Sequence, residues 1–172
     1  AKRDPLKEDF RVFLALIWRF LGLPDPTPLQ LSMAWWLQHC HDDRAILQAF
    51  RGASKSWITA AYCLWTLYCD PQQRILVVSA SLSRATAFVQ FCLGLIDKDS
   101  GVPQLRHLAP GPNQRQSGQQ FDVGPSRIDQ SPSLRAAGIT GQITGSRADL
   151  IVGDDVEIPE NSMTVMMREK TR

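Results

Sequence analysis

The sequence carries little net charge: 19 Lys and Arg against 17 Asp and Glu leave +2 over 172 residues. So small a bulk charge points to no polyanionic partner, which would have to be read from a local patch instead. The chain also lacks an apolar run of the roughly 18 residues a membrane span takes. Its longest stretch, Val12 to Leu23, is broken by Arg19 and followed by Pro24, so no membrane segment is expected. The opening AKRDPLKEDF is not a secretory signal, because no small-residue cleavage site follows an apolar stretch. The four cysteines form no CxxC pair. Cys63, Cys69 and Cys92 fall in apolar helical stretches, where a free thiol acts as a small hydrophobe, so reduced core thiols of a cytoplasmic protein are expected. His39, Cys40 and His41 are adjacent and on a helix would point in different directions, which suits a polar helix end better than a metal site. Internal repeats and low-complexity tracts are absent as well.

What is present is the composition of an ordinary globular domain, 44% hydrophobic and 21% charged, long enough to bury a core. Phe10, Phe13, Leu14, Ile17 and Leu21 predict a helix over 6–22, ended by Gly22 and the prolines at 24, 26 and 28. Thr27 can cap a second helix that has Pro28 at its first position and runs to about Cys40. Ala45 to Phe50 reads as a first short strand. Lys55 to Cys69 is apolar on nearly every face, as a helix buried on several sides must be, and Asp70-Pro71 stops it. RILVVSAS (74–81) is a β-branched run suited to a strand covered on both faces. Residues 83–97 return to helical spacing, short strands are expected at 120–123 and 134–139, and LIVG (150–153) is a final strand. This alternation predicts an α/β fold: a mainly parallel sheet flanked by helices over 45–172, preceded by an N-terminal helical segment over 1–44. The chain does not begin with Met, and it stops at MMREKTR without a helix-ending signal. A piece of a longer protein is therefore expected.

Two patterns carry chemistry. In AFRGASKSW a glycine-containing turn links the expected strand to a buried helix. Such a turn can aim several backbone N–H groups at one point, where the helix macrodipole favours an anion. A lysine then reaches the β and γ phosphates, and the following hydroxyl binds Mg2+. Lys55 and Ser56 have those positions, with Gly52, Ala53 and Ser54 in the turn. The common form is GxxxxGK[ST], and here Ala49 and Ser54 stand where its glycines would. The second pattern is DLIVGDDVE (149–157), in which four buried-type residues deliver Asp154 and Asp155 to a strand end. In that arrangement the first acid holds Mg2+ and the next orients the attacking water. Strand alternation turns Asp154 and Asp155 to opposite sides and, if the chain stays extended, leaves Glu157 on the side of Asp155. Asp155 is thus the first choice for positioning water and Glu157 the reserve.

Arg51 four residues before Lys55, the ILVVSAS strand, the block GITGQ-TGSRAD and the ending DDVEIPENS together resemble the large terminase subunits of short-tailed phages. The similarity runs from WRFLGLPDPTPLQ to MMREK. It implies a RecA-like P-loop ATPase core that uses ATP and Mg2+ to drive double-stranded DNA into a procapsid. It also implies a portal and a small terminase subunit as partners, a homo-oligomeric ring when assembled, the host cytoplasm as location, and a nuclease domain outside this sequence. Within the resemblance Gln30 matches an adenine-reading glutamine, and Arg51 the extra arginine of the phosphate loop. Lys55 and Ser56 match the phosphate and magnesium residues, and Asp154 the metal-binding acid. Asp155 stands where many family members have a catalytic Glu. The Arg-Gly pair that often supplies a trans-acting finger is replaced by Thr144-Gly145, leaving Arg147 as the nearest arginine. A helicase-like P-loop ATPase and a nucleotide-binding scaffold that no longer turns over are the alternatives.

Overall fold

In the computed structural model, which describes residues 3–141 and 147–156, the first expected helix is divided at Asp9. The pieces are α1 (Pro5–Glu8) and α2 (Phe10–Phe20). Asp9 is extended, at φ −136°, and its carboxylate accepts the Arg11 backbone N–H at 2.9 Å as the N-cap of α2. The Arg11 guanidinium bonds the same carboxylate at 2.8 Å, and that hydrogen bond holds Asp9 below the usual carboxylate range. Capping at this point satisfies the orphan donors of a new helix start and so outweighs continuation of the old one.

The chain forms two compact units, Ala1–Cys69 and Asp70–Arg172. The first holds α1, α2, α3 (Pro28–His39) and α4 (Lys55–Cys69). Phe10, Phe13, Leu14 and Ile17 of α2 are fully buried, each side chain contributing about 2 kcal/mol of apolar burial. Phe10 lies 5.4 Å from the rings of both Tyr62 and Trp65 on α4, and Phe13 lies 5.6 Å from Tyr68. Gln38 of α3 fastens the α1–α2 junction, accepting the Phe10 N–H and donating to the Glu8 carbonyl, both at 2.8 Å. At the end of α3, His39 stacks on Trp35 at 4.4 Å and its Nδ1 meets the Trp35 carbonyl at 2.7 Å.

Two expectations for this unit are corrected. Ala45–Phe50 is not a strand: it has no regular structure, and Ile46 and Phe50 are 88% and 67% exposed. A strand is defined by its ladder, and no described residue pairs with this segment, so its apolar composition alone does not make one. Cys69 is not a core thiol either. Cys63 and Cys92 are buried, but Cys69 is exposed at the last position of α4, where burial has ended.

The second unit is built on β1 (Ile75–Ser79), α5 (Leu82–Ile96), a 3-10 turn (Pro103–Leu108), β2 (Gln120–Phe121), β3 (Leu134–Gly138) and β4 (Leu150–Asp154). The sheet order is β2-β3-β1-β4, with β1 parallel to both β3 and β4 and only β2 antiparallel. The mixed α/β class with a mainly parallel sheet is thus as expected. All five residues of β1 are buried. Leu76 and Val78 share one face with Ala137 of β3, while α5 packs against β1 and β3. A Cβ on Gly138 would stand 2.9 Å from the Leu82 backbone nitrogen, so only glycine lets the start of α5 press this close to the end of β3. β4 is less covered than four buried-type residues suggest. It is the terminal strand of the described sheet, Val152 is buried, and Ile151 is 66% exposed. Its start is tied to β1 by Arg74, which grips Asp149 through Nε and Nη2, both at 3.0 Å. That hydrogen-bonded pair keeps the Asp149 carboxyl below its ordinary range. Among the described residues no helix is long and apolar enough to cross a membrane.

Candidate functional site

The turn before α4 has the backbone an anion cradle needs. Gly52 has φ 96° and Ser54 has φ 62°, while Ala53 between them is not in the left-handed region and Lys55 is already helical. Alternating handedness swings successive N–H groups toward one side, forming a concavity at a helix N-terminus. The Ser54 carbonyl accepts the first helical bond, from the Ile58 N–H at 3.0 Å, and the Ala53 N–H is bonded to the Phe50 carbonyl at 3.3 Å. A Cβ on Gly52 would meet nothing within 4 Å, so glycine is required there by φ and not by space. Ser54, the residue in place of the usual glycine, adopts the conformation that glycine favours. Lys55 Nζ folds back over the same turn, donating to the carbonyls of Ala49 at 3.0 Å and Phe50 at 3.4 Å. Arg51 is exposed beside it, and Ser56 is partly buried in the first turn of α4.

Gln30 belongs to the same unit and has a structural occupation. Its Oε1 accepts the Thr27 N–H at 2.9 Å, and Thr27 Oγ1 accepts the Gln30 N–H at 3.3 Å. This is a reciprocal capping box at the start of α3. The sequence shows its T-x-x-Q spacing, and reading Gln30 for base recognition alone overlooks it.

In the second unit Asp154 is the last residue of β4, in register with the buried Ser79 at the end of β1. Asp155 does not continue the strand. Its φ is 46°, a left-handed conformation that Asp tolerates better than most residues, and its carbonyl accepts the Ala80 N–H at 3.3 Å. The premise of an extended chain beyond Asp154 therefore fails at Asp155, and strand alternation does not fix the side its carboxylate faces. Glu157 lies outside the described residues. Ser79 is a polar neighbour of Asp154 that the sequence reading absorbed into a strand; the signal was a hydroxyl ending a β-branched run. Arg147 is exposed, three residues ahead of β4, at the end of the strand away from Asp154. Asp149, two residues further on, is engaged by Arg74.

The structure thus gathers Gly52, Ala53, Ser54, Lys55 and Ser56 around one helix start, sets Asp154 and Asp155 at one strand end, and leaves Arg147 apart from that acid pair. Among the described residues no three His, Cys, Asp or Glu side chains cluster as a self-sufficient metal site.

No protein-family model matches the chain. It is similar to the terminase large subunit of Enterobacteria phage T3, with 52% identity over 165 residues. That alignment covers 96% of this chain and 28% of the phage T3 protein, so the chain spans a little over a quarter of that relative's length. Identity at that level over 96% of the chain shows that it belongs to the phage terminase large subunits.

Proposed function

We propose that this chain is the ATP-hydrolysing part of a DNA-packaging motor, with Lys55 and Asp154 as its principal ligands for ATP and Mg2+. The observation that carries the reading is the turn 52–55, whose alternating backbone suits a polyphosphate at the amino end of α4. The membership of the chain among terminase large subunits supports it independently.

In this reading the N–H groups of residues 54–56 and the Lys55 ammonium hold the β and γ phosphates at the turn formed by Gly52, Ala53 and Ser54, and Lys55 exchanges two carbonyl partners for phosphate oxygens. Arg51, exposed next to the turn, adds a second positive charge. The Ser56 hydroxyl and the Asp154 carboxylate hold Mg2+. Such a sparse protein contribution fits this ion, which keeps waters and phosphate oxygens in its shell. When bound, the ion neutralises charge developing on the transferred phosphoryl group. Asp155 accepts a proton or hydrogen bond from the attacking water, with Glu157 as the alternative acid. Gln30, its oxygen engaged in the cap, reads adenine with its amide nitrogen. Arg147, at the opposite end of β4 from its own acid pair, supplies charge to a neighbouring copy. Double-stranded DNA, a portal, a small subunit, a ring of copies and the host cytoplasm complete the proposal.

The test is steady-state phosphate release by wild type, Asp155→Asn and Glu157→Gln at saturating ATP·Mg2+. Asn accepts a left-handed φ about as readily as Asp, so Asp155→Asn removes charge with little backbone cost. The expected result is a fall of about 10²-fold or more in kcat for Asp155→Asn with ATP still bound, on the scale of general-base removal. A full rate in that variant with a collapsed rate in Glu157→Gln transfers the role to Glu157. Full rates in both refute the hydrolytic assignment of this strand end.

A further inference from the structure

Among the described residues three polar side chains are buried, those of Gln30, Ser79 and Ser133. Gln30 caps α3, and the Ser133 hydroxyl accepts the Val123 N–H at 3.1 Å. Ser79 is 2% exposed and ends β1, yet among the described residues its hydroxyl has no hydrogen-bond partner. Its backbone carbonyl is engaged, accepting the Ile139 N–H at 2.8 Å. Every fully enclosed side-chain oxygen or nitrogen among the described residues does have a partner, so the Ser79 oxygen is not sealed in but reaches accessible space. Register fixes where that space lies. Ser79 is paired with Gly138 of β3 on one side and with Asp154 of β4 on the other. Residues in register on neighbouring strands project from the same face of a sheet, with the strands about 4.8 Å apart. Gly138 offers no side chain, and the space its Cβ would take is filled by the Leu82 backbone. The side-chain neighbour left to the hydroxyl along that rung is Asp154.

A buried hydroxyl without a hydrogen bond is destabilising, and a serine kept in that condition points to a partner acquired in another state of the protein. Alanine would end the same strand without that cost. We propose that Ser79 is a positioning residue for Mg2+ at Asp154. When the ion arrives, the Ser79 hydroxyl donates to the Asp154 carboxylate and fixes which of its oxygens faces the metal. The inference rests on the reading of Asp154 as the Mg2+ ligand. A carboxylate has about four lone-pair sites, so it can hold the ion and accept the hydroxyl while keeping another partner. A change of χ1 rotamer is enough to redirect a serine hydroxyl within its own rung. Such a hydrogen bond narrows the orientations of a metal ligand, and losing one typically costs about 10–100-fold in metal affinity. Ser79 thereby differs from Ser56, whose hydroxyl is assigned to the ion itself.

The test measures binding of mant-AMPPNP, a fluorescent ATP analogue that is not hydrolysed, in Mg2+ and in EDTA. The ratio of the two dissociation constants reports how strongly ion and nucleotide support each other. Asp154→Asn should collapse that ratio. Ser79→Ala should lower it about tenfold or more through weaker binding in Mg2+, with binding in EDTA unchanged. Ser79→Cys, close in size but a weak donor, should do the same. In an Asp154→Asn background Ser79→Ala should add nothing, because the hydroxyl acts through that carboxylate. Since the hydroxyl is unbonded in the free chain, Ser79→Ala should keep or raise the urea midpoint, which separates the lost ratio from a lost fold. A ratio that falls in Asp154→Asn but not in Ser79→Ala overturns this inference and leaves Asp154 as the ligand. So does an equal loss in Mg2+ and in EDTA, a full ratio in Ser79→Cys, or an undiminished effect of Ser79→Ala beside Asp154→Asn. A wild-type ratio of one, or one that Asp154→Asn leaves unchanged, removes the Mg2+ reading of Asp154 and this inference with it.

Discussion

Ser54 holds a backbone angle of 62° at a position where the phosphate-loop pattern has glycine, and its replacement tests the geometry of the turn directly. A left-handed conformation costs an L-residue about 1–2 kcal/mol relative to glycine. Glycine, however, loses more conformational freedom on folding, a cost of about 0.5–1 kcal/mol. Ser54→Gly should therefore leave stability unchanged or raise it by up to about 1.5 kcal/mol. Ser54→Val places a β-branched side chain in the same angle and should cost about 1–3 kcal/mol, or else force the turn into another conformation. The assay is urea unfolding followed by circular dichroism, with midpoints compared at constant m-value. Nucleotide affinity gives a second reading. Ser54→Gly keeps the N–H directions and should bind ATP within a few-fold of wild type, the equivalent of about 1 kcal/mol. Ser54→Val should bind at least about tenfold more weakly. Valine matching glycine in both stability and affinity would refute the reasoning, because the turn would then not require a left-handed residue at 54.

Gln30→Ala removes half of a capping box, so it should lower the stability of the chain by about 1 kcal/mol in urea unfolding as well as relax discrimination between ATP and GTP. Loss of stability with unchanged base preference would leave Gln30 a cap alone. Tyr68 has its hydroxyl pushed up to about 12, chiefly by burial and then by its 2.8 Å hydrogen bond to Asp4. A group whose folded pKa is raised contributes stability below its unfolded value, near 10, and loses it as pH rises through the folded one. Thermal midpoints should therefore fall more steeply between about pH 10 and pH 12 in wild type than in Tyr68→Phe; parallel curves would contradict this.

The helices at 28–39 and 55–69 and the strand at 75–79 were legible because each has a local cause: a cap with Pro28, an all-round apolar face bounded by Asp70-Pro71, and a β-branched run. The Lys55–Ser56 pair at the start of a helix and the acid pair at the end of a strand were legible for the same reason. What could not be read depended on partners or on single backbone angles. Ala45–Phe50 has apolar residues but no ladder among the described residues. Asp9 divides a continuous apolar stripe because a carboxylate at that position caps a new start. Asp155 leaves the strand through one left-handed angle, which undoes the alternation argument for Glu157.

Whether the turn before α4 holds the phosphates of ATP is tested most directly by calorimetric titration of ATP·Mg2+ into the wild-type chain and Lys55→Ala. Among the described residues the Lys55 ammonium bonds two carbonyls of the preceding segment, so its loss should leave the fold intact by circular dichroism. Wild type should give a saturable isotherm, and Lys55→Ala should bind at least about 100-fold more weakly, the scale of a lost charge-assisted phosphate contact. Equal affinity in the two folded proteins would contradict that role for the turn.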